Sequence, residues 1–440
     1  MAVPTAPSPR QIGLVAATSL VVGNIIGSGI FLLPSSLAPY GKFALVAWVL
    51  TLCGAVMLAL VFARLARMLP KEGGPYAYTR AAYGDFPGFW IAWGYWISLW
   101  TGVAAIAVAF GGYLKVLVPA LEGNTVGCGI ASIAAVWVLG LVNSRGIRAA
   151  SRMQIATTII KLLPLVAIAT VGLAWMKPAN IDSARAPEMS GFGAISAAAA
   201  LTLWAMLGLE SATIPAGSVR DPDRTIPRAT VAGTLICALV YIASTAAVMG
   251  AVPGDVLANS QAPFADAARR MWGTWAYYLV GVGALVSCFG ALNGWILLAA
   301  EFPRAVARDG LLPAPFARSD VRGVPVFGLW AAIGLVTVML ALNSSGTHGL
   351  VSIFNFSILL STLACLIPYV FCSLAAILIR RRMPDAAPAS RRDTVVAMLA
   401  FIYAGWMIYG AGAQVALLGL ILMVVGIPVY VWLRRNSPVP

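Results

Sequence analysis

Three stretches hold residue types able to do chemistry inside an otherwise apolar chain. The first is Leu203-Trp204-Ala205-Met206-Leu207-Gly208-Leu209-Glu210-Ser211-Ala212, with a carboxylate amid hydrophobic residues. At membrane depth a carboxylate costs at least a few kcal/mol unless it is partnered, hydrated or protonated, so an intramembrane acid marks a functional site by default. Glu210 is suited to act as counter-ion to a cationic substrate, as proton acceptor, or as both in turn; a protonated core acid is the alternative. The second stretch is Val22-Gly23-Asn24-Ile25-Ile26-Gly27-Ser28-Gly29-Ile30-Phe31. Its glycines each weaken a helix by roughly 1 kcal/mol relative to alanine. A break there aims the amides of a second half-helix inward, a setting for an anionic group such as a carboxylate. Close helix packing through Gly23-x-x-x-Gly27 is the other reading. The third is Lys161, in Ile159-Ile160-Lys161-Leu162-Leu163-Pro164. It lies too deep in its segment to snorkel. Burial disfavours its charged form, so it can load and release a proton, unless it is a charged strut between the first and fifth helices. Enzyme chemistry finds little: His348 is the only histidine, and six cysteines are scattered without metal-ligand spacing.

The elements that position these groups follow from composition. The chain has 440 residues, is 60% hydrophobic and only 10% charged, and its mean hydropathy is +0.89; soluble proteins carry about 25% charged residues. This is an all-α integral membrane protein. Apolar segments fall near 12–34, 43–66, 86–118, 125–144, 153–176, 191–217, 229–252, 274–301, 324–343, 350–379, 394–413 and 415–433, about twelve spans of spanning length. Amphipathic pieces are expected over Pro253–Met271 on one side and Phe302–Phe316 on the other. A short polar tail, Met1–Pro9, precedes the first span and does not read as a signal peptide. Arginines and lysines concentrate in alternate connections, which predicts cytoplasmic N- and C-termini. The formal charge of +14 is therefore a topology signal spread over short loops, and no nucleic-acid partner is expected. A second interruption five segments after the first suggests inverted repeats over 12–176 and 191–379, followed by two additional helices at 394–433.

Several motifs, taken in order, resemble the amino acid–polyamine–organocation (APC) transporters. They are Gly23-Asn24-Ile25-Ile26-Gly27-Ser28-Gly29-Ile30-Phe31-Leu32-Leu33-Pro34, Gly73-Gly74-Pro75-Tyr76-Ala77-Tyr78, the stretch Thr202–Ala212, Asp221-Pro222-Asp223-Arg224-Thr225-Ile226-Pro227, Ala262-Pro263-Phe264-Ala265-Asp266-Ala267 and Asp309-Gly310-Leu311-Leu312-Pro313. Within that superfamily the chain is most like the basic amino acid/polyamine antiporters, such as the bacterial arginine–agmatine and ornithine–putrescine exchangers. The resemblance implies a LeuT-type five-plus-five inverted repeat with broken first and sixth helices. It implies a substrate site at Asn24, Ile25, Ile26, Ser28, Gly29, Trp204, Leu207, Trp295 and Ser361. Amides around Ser28 and Gly29 would hold a carboxylate, and carbonyls of Ile25, Trp204 and Leu207 an α-amine. Trp204 and Trp295 would stack on a cationic side chain, a contact worth roughly 0.5–2 kcal/mol. Tyr95, Glu210 and Tyr369 would form a gate beneath it, with Lys161 a candidate for proton coupling.

Two departures bear on the substrate. Val103 stands where the arginine exchangers place an asparagine against the guanidinium. Lys161 replaces a small apolar residue of the arginine exchanger and matches proton-coupled symporters and neutral amino acid exchangers, where its ammonium stands in for a bound cation. The expectation is a secondary transporter of the bacterial inner membrane that exchanges amino acids or amines, without cofactor or metal. Its partners are the small-molecule substrate and membrane lipid; a homodimer is left open. A proton-coupled symporter using Lys161 and a non-transporting substrate sensor are the alternatives. A channel lacks its ring of polar residues, and an enzyme its catalytic cluster.

Overall fold

A computed structural model describes residues 13–27, 29–69, 73–145, 162–183, 191–210, 213, 219–344, 350–381 and 390–436. The described residues form helices joined by short turns. Eight helices are long and apolar enough to span a bilayer: α3 (Lys42–Met68), α5 (Asp85–Leu114), α6 (Thr125–Asn143), α10 (Pro222–Ala251), α13 (Thr274–Arg308), α16 (Leu350–Arg381), α17 (Arg391–Gly410) and α18 (Ala413–Asn436). The pair α1 (Leu14–Ile25) and α2 (Gly29–Leu37) makes a further span, bent by 40° at its break. Three shorter apolar helices complete the set: α7 (Leu162–Trp175), α9 (Gly191–Trp204) and α15 (Val326–Ser344). Each falls on one of the twelve apolar segments of the sequence, so the molecule is a roughly twelve-span, multi-pass membrane protein.

Burial divides these helices by role. Of the apolar stretch of α5, 89% is buried, against 28% for α17 and 22% for α18. The first is therefore the post around which the bundle is built, and the last two form its periphery. Small residues allow that density. Gly94, Gly102, Gly111 and Gly112 lie along α5, and a methyl group on any of them would run into a neighbouring element. The broken span packs against α10, where a methyl on Gly233 would meet Val21.

Short helices close the ends. Over Pro253–Met271 the expected amphipathic piece is two helices, α11 (Gly254–Ala258) and α12 (Pro263–Trp272). The expected piece at Phe302–Phe316 is not a separate helix. α13 runs through Pro303 to Arg308, and only α14 (Ala314–Ala317) follows. Deletion of one amide at Pro303 is tolerated because packing holds the helix on both sides, with Phe302, Pro303 and Val306 all buried. A helix that apolar periodicity did not reveal, α4 (Pro75–Tyr83), follows Gly73-Gly74; these two glycines adopt φ of +104° and +51°, and Pro75 occupies the first helical turn. A further short helix, α8 (Pro178–Ile181), lies beside the end of α10.

Candidate functional site

The first span breaks where its glycines cluster. α1 ends at Ile25, Ile26 N–H still reaches Val22 O at 2.8 Å, and Gly27 N–H turns back to Ile25 O at 2.8 Å. The chain becomes helical again at Gly29, and every residue of α2 from Gly29 to Leu37 is buried. The second interruption follows α9. Beyond Trp204 the bonds tighten to three-residue spacing: Ala205 to Thr202 (3.2 Å), Met206 to Leu203 (2.9 Å) and Leu207 to Trp204 (3.1 Å). Gly208 then takes φ +97°, open to glycine without strain. The two breaks touch. A methyl on Gly29 would sit 2.9 Å from Trp204 Nε1 and 3.4 Å from the Ala205 Cα. The start of α2 therefore abuts the end of α9, with room there for nothing larger than glycine.

Glu210 sits at the foot of this junction, 1% exposed. Tyr95 of α5 donates its hydroxyl to Oε1 and Tyr369 of α16 donates to Oε2, both at 2.6 Å. One carboxyl group thus ties together the break after α9 and two scaffold helices. Above it is a cavity of about 10 Å³ lined by Asn24, Tyr95, Ser98, Leu207, Glu210 and Trp295, among others. That volume suits about one water, so a larger guest enters only when the walls move. Trp204 and Trp295 form the lid of this region, ring centroids 5.3 Å apart at 46°. Gly102 makes room for both: a methyl there would lie 2.5 Å from Trp295 Cζ3 and 2.9 Å from Trp204 Cη2. The buried indole N–H of Trp204 has no acceptor among the described residues.

Of the residues singled out in the sequence, Asn24, Tyr95, Leu207, Glu210 and Trp295 line one cavity, with Trp204, Gly29 and Tyr369 directly against that group. Others stand apart. Ser361 donates its hydroxyl to Ser98 O at 2.7 Å and serves as a link between α16 and α5. Ile26 is fully buried core. The Ile25 carbonyl already accepts from Tyr241 of α10 at 2.8 Å, and the Trp204 carbonyl from Leu207 N–H; each keeps a second lone pair for an incoming amine. Val103 is 1% exposed, beside the glycine that accommodates the two indoles. Ser28 and Lys161 lie outside the described residues. Tyr241 and Gly102 escaped the sequence reading, as did the buried pair Asn143–Asn293, whose side chains bond at 3.0 Å, Asn293 lying two residues before Trp295. Only Asn293 carried a local cue, by its place in Asn293-Gly294-Trp295. Among the described residues no group of three or more histidines, cysteines or acids is arranged for a metal ion.

Two broken helices meeting over a tyrosine-clamped carboxylate invite comparison with known proteins. Over 344 residues the chain is 38% identical to the cadaverine/lysine antiporter of Escherichia coli K12, covering 77% of each chain. It is 31% identical over 429 residues to the putrescine transporter PotE of the same strain, covering 96% of this chain and 95% of the relative. It is 32% identical over 423 residues to the PotE of Haemophilus influenzae, covering 96% of each. The family model described as amino acid permease matches residues 12–432, and this chain belongs to that family.

Proposed function

We propose that this protein exchanges a basic amino acid for a diamine across the bacterial inner membrane by alternating access, with both termini cytoplasmic. The observation that carries the reading is the Glu210 carboxylate, buried beneath the two broken helices and held by Tyr95 and Tyr369. It offers a fixed negative charge to an alkylammonium group lying in the cavity above. The two tryptophans supply the aromatic faces such a cation prefers, and the amides at the start of α2 would receive the carboxylate of the amino acid form. A diamine lacks that carboxylate but keeps both ammonium ends, so one site can take either member of the pair. Val103 in place of an amide favours an ammonium over a guanidinium, which needs more hydrogen-bond acceptors or partners than an apolar wall provides.

The relatives named for cadaverine/lysine exchange and putrescine transport support this choice of substrates. The arrangement of breaks supports the inverted repeats over 12–176 and 191–379, with 394–433 as an addition. The deciding experiment loads purified protein in liposomes with cadaverine, putrescine, ornithine, arginine, agmatine or a neutral amino acid, and follows entry of labelled lysine. Entry only against an internal diamine or basic amino acid is expected. Binding without any counterflow would make the protein a sensor, and preference for neutral internal substrates would overturn the cationic site.

A further inference from the structure

A large cavity lies away from the broken helices, at one end of α3, α10, α16 and α17. It measures about 780 Å³. Its deeper walls are apolar: Val61 and Ala63 of α3, Val231 of α10, Ala376 of α16 and Val396 of α17. Its rim carries four arginines from three helices, Arg64, Arg67, Arg228 and Arg392, against a single carboxylate, Asp393. Asp393 is already engaged with Arg64 at 3.2 Å. Arg67 donates to a neutral acceptor, the Asp223 carbonyl, at 3.0 Å. Arg228 and Arg392 form no ion pair among the described residues. The pocket thus has an excess of positive charge at its mouth and none deeper down.

The distances suit one kind of molecule. From Arg228 to Leu235 is seven residues, about 10 Å along a helix, the passage from a headgroup to the upper acyl chain. Leu60 and Leu235, at the outer edge of the groove, are 36% and 38% exposed, on helices whose outer surfaces face hydrocarbon. Guanidinium groups bind phosphate oxygens in bidentate fashion, and basic pockets between membrane helices at the arginine-rich end suit anionic headgroups. We infer that the α3–α10–α17 groove is a binding site for an anionic phospholipid, its phosphate held by Arg67, Arg228 and Arg392 and an acyl chain lying against Val231 and Leu235. A zwitterionic lipid would satisfy the apolar wall but bring its own cation to a rim already positive.

The test uses the full-length protein purified in a mild detergent and titrated with phosphatidylglycerol, phosphatidylcholine or inorganic phosphate. Thermal unfolding and native mass spectrometry are the readouts. Phosphatidylglycerol should raise the unfolding midpoint and persist as a bound mass; phosphatidylcholine and phosphate should do neither. The Arg228→Gln/Arg392→Gln double variant changes only exposed side chains and should weaken phosphatidylglycerol binding about 30-fold, on the scale of each arginine near an anionic surface. Arg67→Gln alone provides a second reading should the double variant express poorly. Equal responses to the two lipids would overturn the inference, as would a matching response to phosphate alone, which would make this a free-anion site. An undiminished response in the variants would also overturn it. So would a variant whose only change is loss of a dimer on sizing, since the groove would then be covered by a second copy of the chain.

Discussion

At the scale of single residues, Glu210 has two hydroxyl donors and, among the described residues, no paired cation. Both donors are neutral hydroxyls, so this clamp offsets no charge and leaves the carboxyl oxygens open to a cation. Glu210→Gln keeps both neighbours within hydrogen-bonding reach, because an amide can accept from one tyrosine and donate to the other. We expect the fold to persist, with an unfolding midpoint close to that of the parent, while lysine and diamine exchange fall at least tenfold, a loss of roughly 1.4 kcal/mol. Glu210→Ala should differ: two buried hydroxyls lose their acceptor, at about 1–3 kcal/mol each, so stability should fall as well. Paired thermal melts and exchange assays separate the two. Trp204 offers a sharper test of orientation. Its buried indole N–H lacks an acceptor among the described residues and stands beside Gly29, where α2 begins. If that donor serves the substrate carboxylate, Trp204→Phe should weaken lysine binding about tenfold, the scale of a hydrogen bond to a charged group, and leave cadaverine binding nearly unchanged. Equal losses for both would reduce Trp204 to an aromatic wall.

At the scale of elements, α5 carries the site by what it lacks. Gly102 places backbone where a side chain would collide with both indoles, and ring atoms cannot slide aside as the end of a flexible chain would. Gly102→Ala should therefore overpack the lid, at about 1–3 kcal/mol, and appear as a tenfold or greater rise in the half-saturating concentration of lysine. Adding Trp295→Phe, which trims the ring that the new methyl strikes, should restore part of the loss. A variant whose affinity is unmoved would show that the two tryptophans separate before substrate binds. The same elements show how far the sequence could be read. Breaks are visible in a membrane chain because glycine and charge are conspicuous against apolar residues; Gly27, Gly29, Gly208 and Glu210 therefore pointed to both interruptions and to the acid just past the second. The partners of those breaks were not visible. Tyr241 caps the Ile25 carbonyl across 216 positions of sequence, and in hydrocarbon both faces of a helix are apolar, so no periodicity marks which face meets which. Gly102 looked like any small residue in a packed span. α4 was missed because its nine residues mix tyrosine, arginine and alanine without a stripe. The extension of α13 past Pro303 was missed because a proline normally ends a helix, and only surrounding packing carries it through.

At the scale of the whole molecule, exchange requires that one end close while the other opens. A polar lattice shuts one end: Tyr76 donates to Asp309 at 2.8 Å, Arg80 bridges Asp85 (2.8 Å) and Asp309 (3.0 Å), and Arg434 reaches Asp85 at 2.5 Å. It fastens α4 to α13, α5 and α18. These pairs are partly exposed, so each is worth only about 0–1 kcal/mol, enough to bias a conformational balance without holding the fold together. Cys372 lies fully buried behind this lattice, its thiol 3.6 Å from the Pro75 carbonyl, and reports on opening. Asp309→Asn should leave the melting midpoint nearly unchanged yet raise maleimide labelling of Cys372 several-fold, on the scale of about 1 kcal/mol, read by peptide mass. Labelling at the parent's rate would mean the lattice does not restrain that end.

Lys161, in the fifth apolar segment of the sequence, is where the two readings of coupling part. An exchanger returns to its starting state only with substrate aboard; a proton-coupled symporter can return empty once a proton has been released. Lys161→Met removes the charge and keeps most of the apolar stem, so packing changes little. If the lysine carries a proton, a pH gradient should drive net lysine uptake into empty liposomes for the parent, and the variant should lose that uptake while retaining exchange against internal substrate. If it is a fixed charge tying the first and fifth helices together, both modes should decline in parallel. On the exchange reading argued from Glu210, the parent itself shows no net uptake into empty vesicles under any imposed gradient, and counterflow appears only when an internal diamine or basic amino acid is supplied. Net uptake by the parent, abolished in Lys161→Met, is the outcome that would replace exchange with symport.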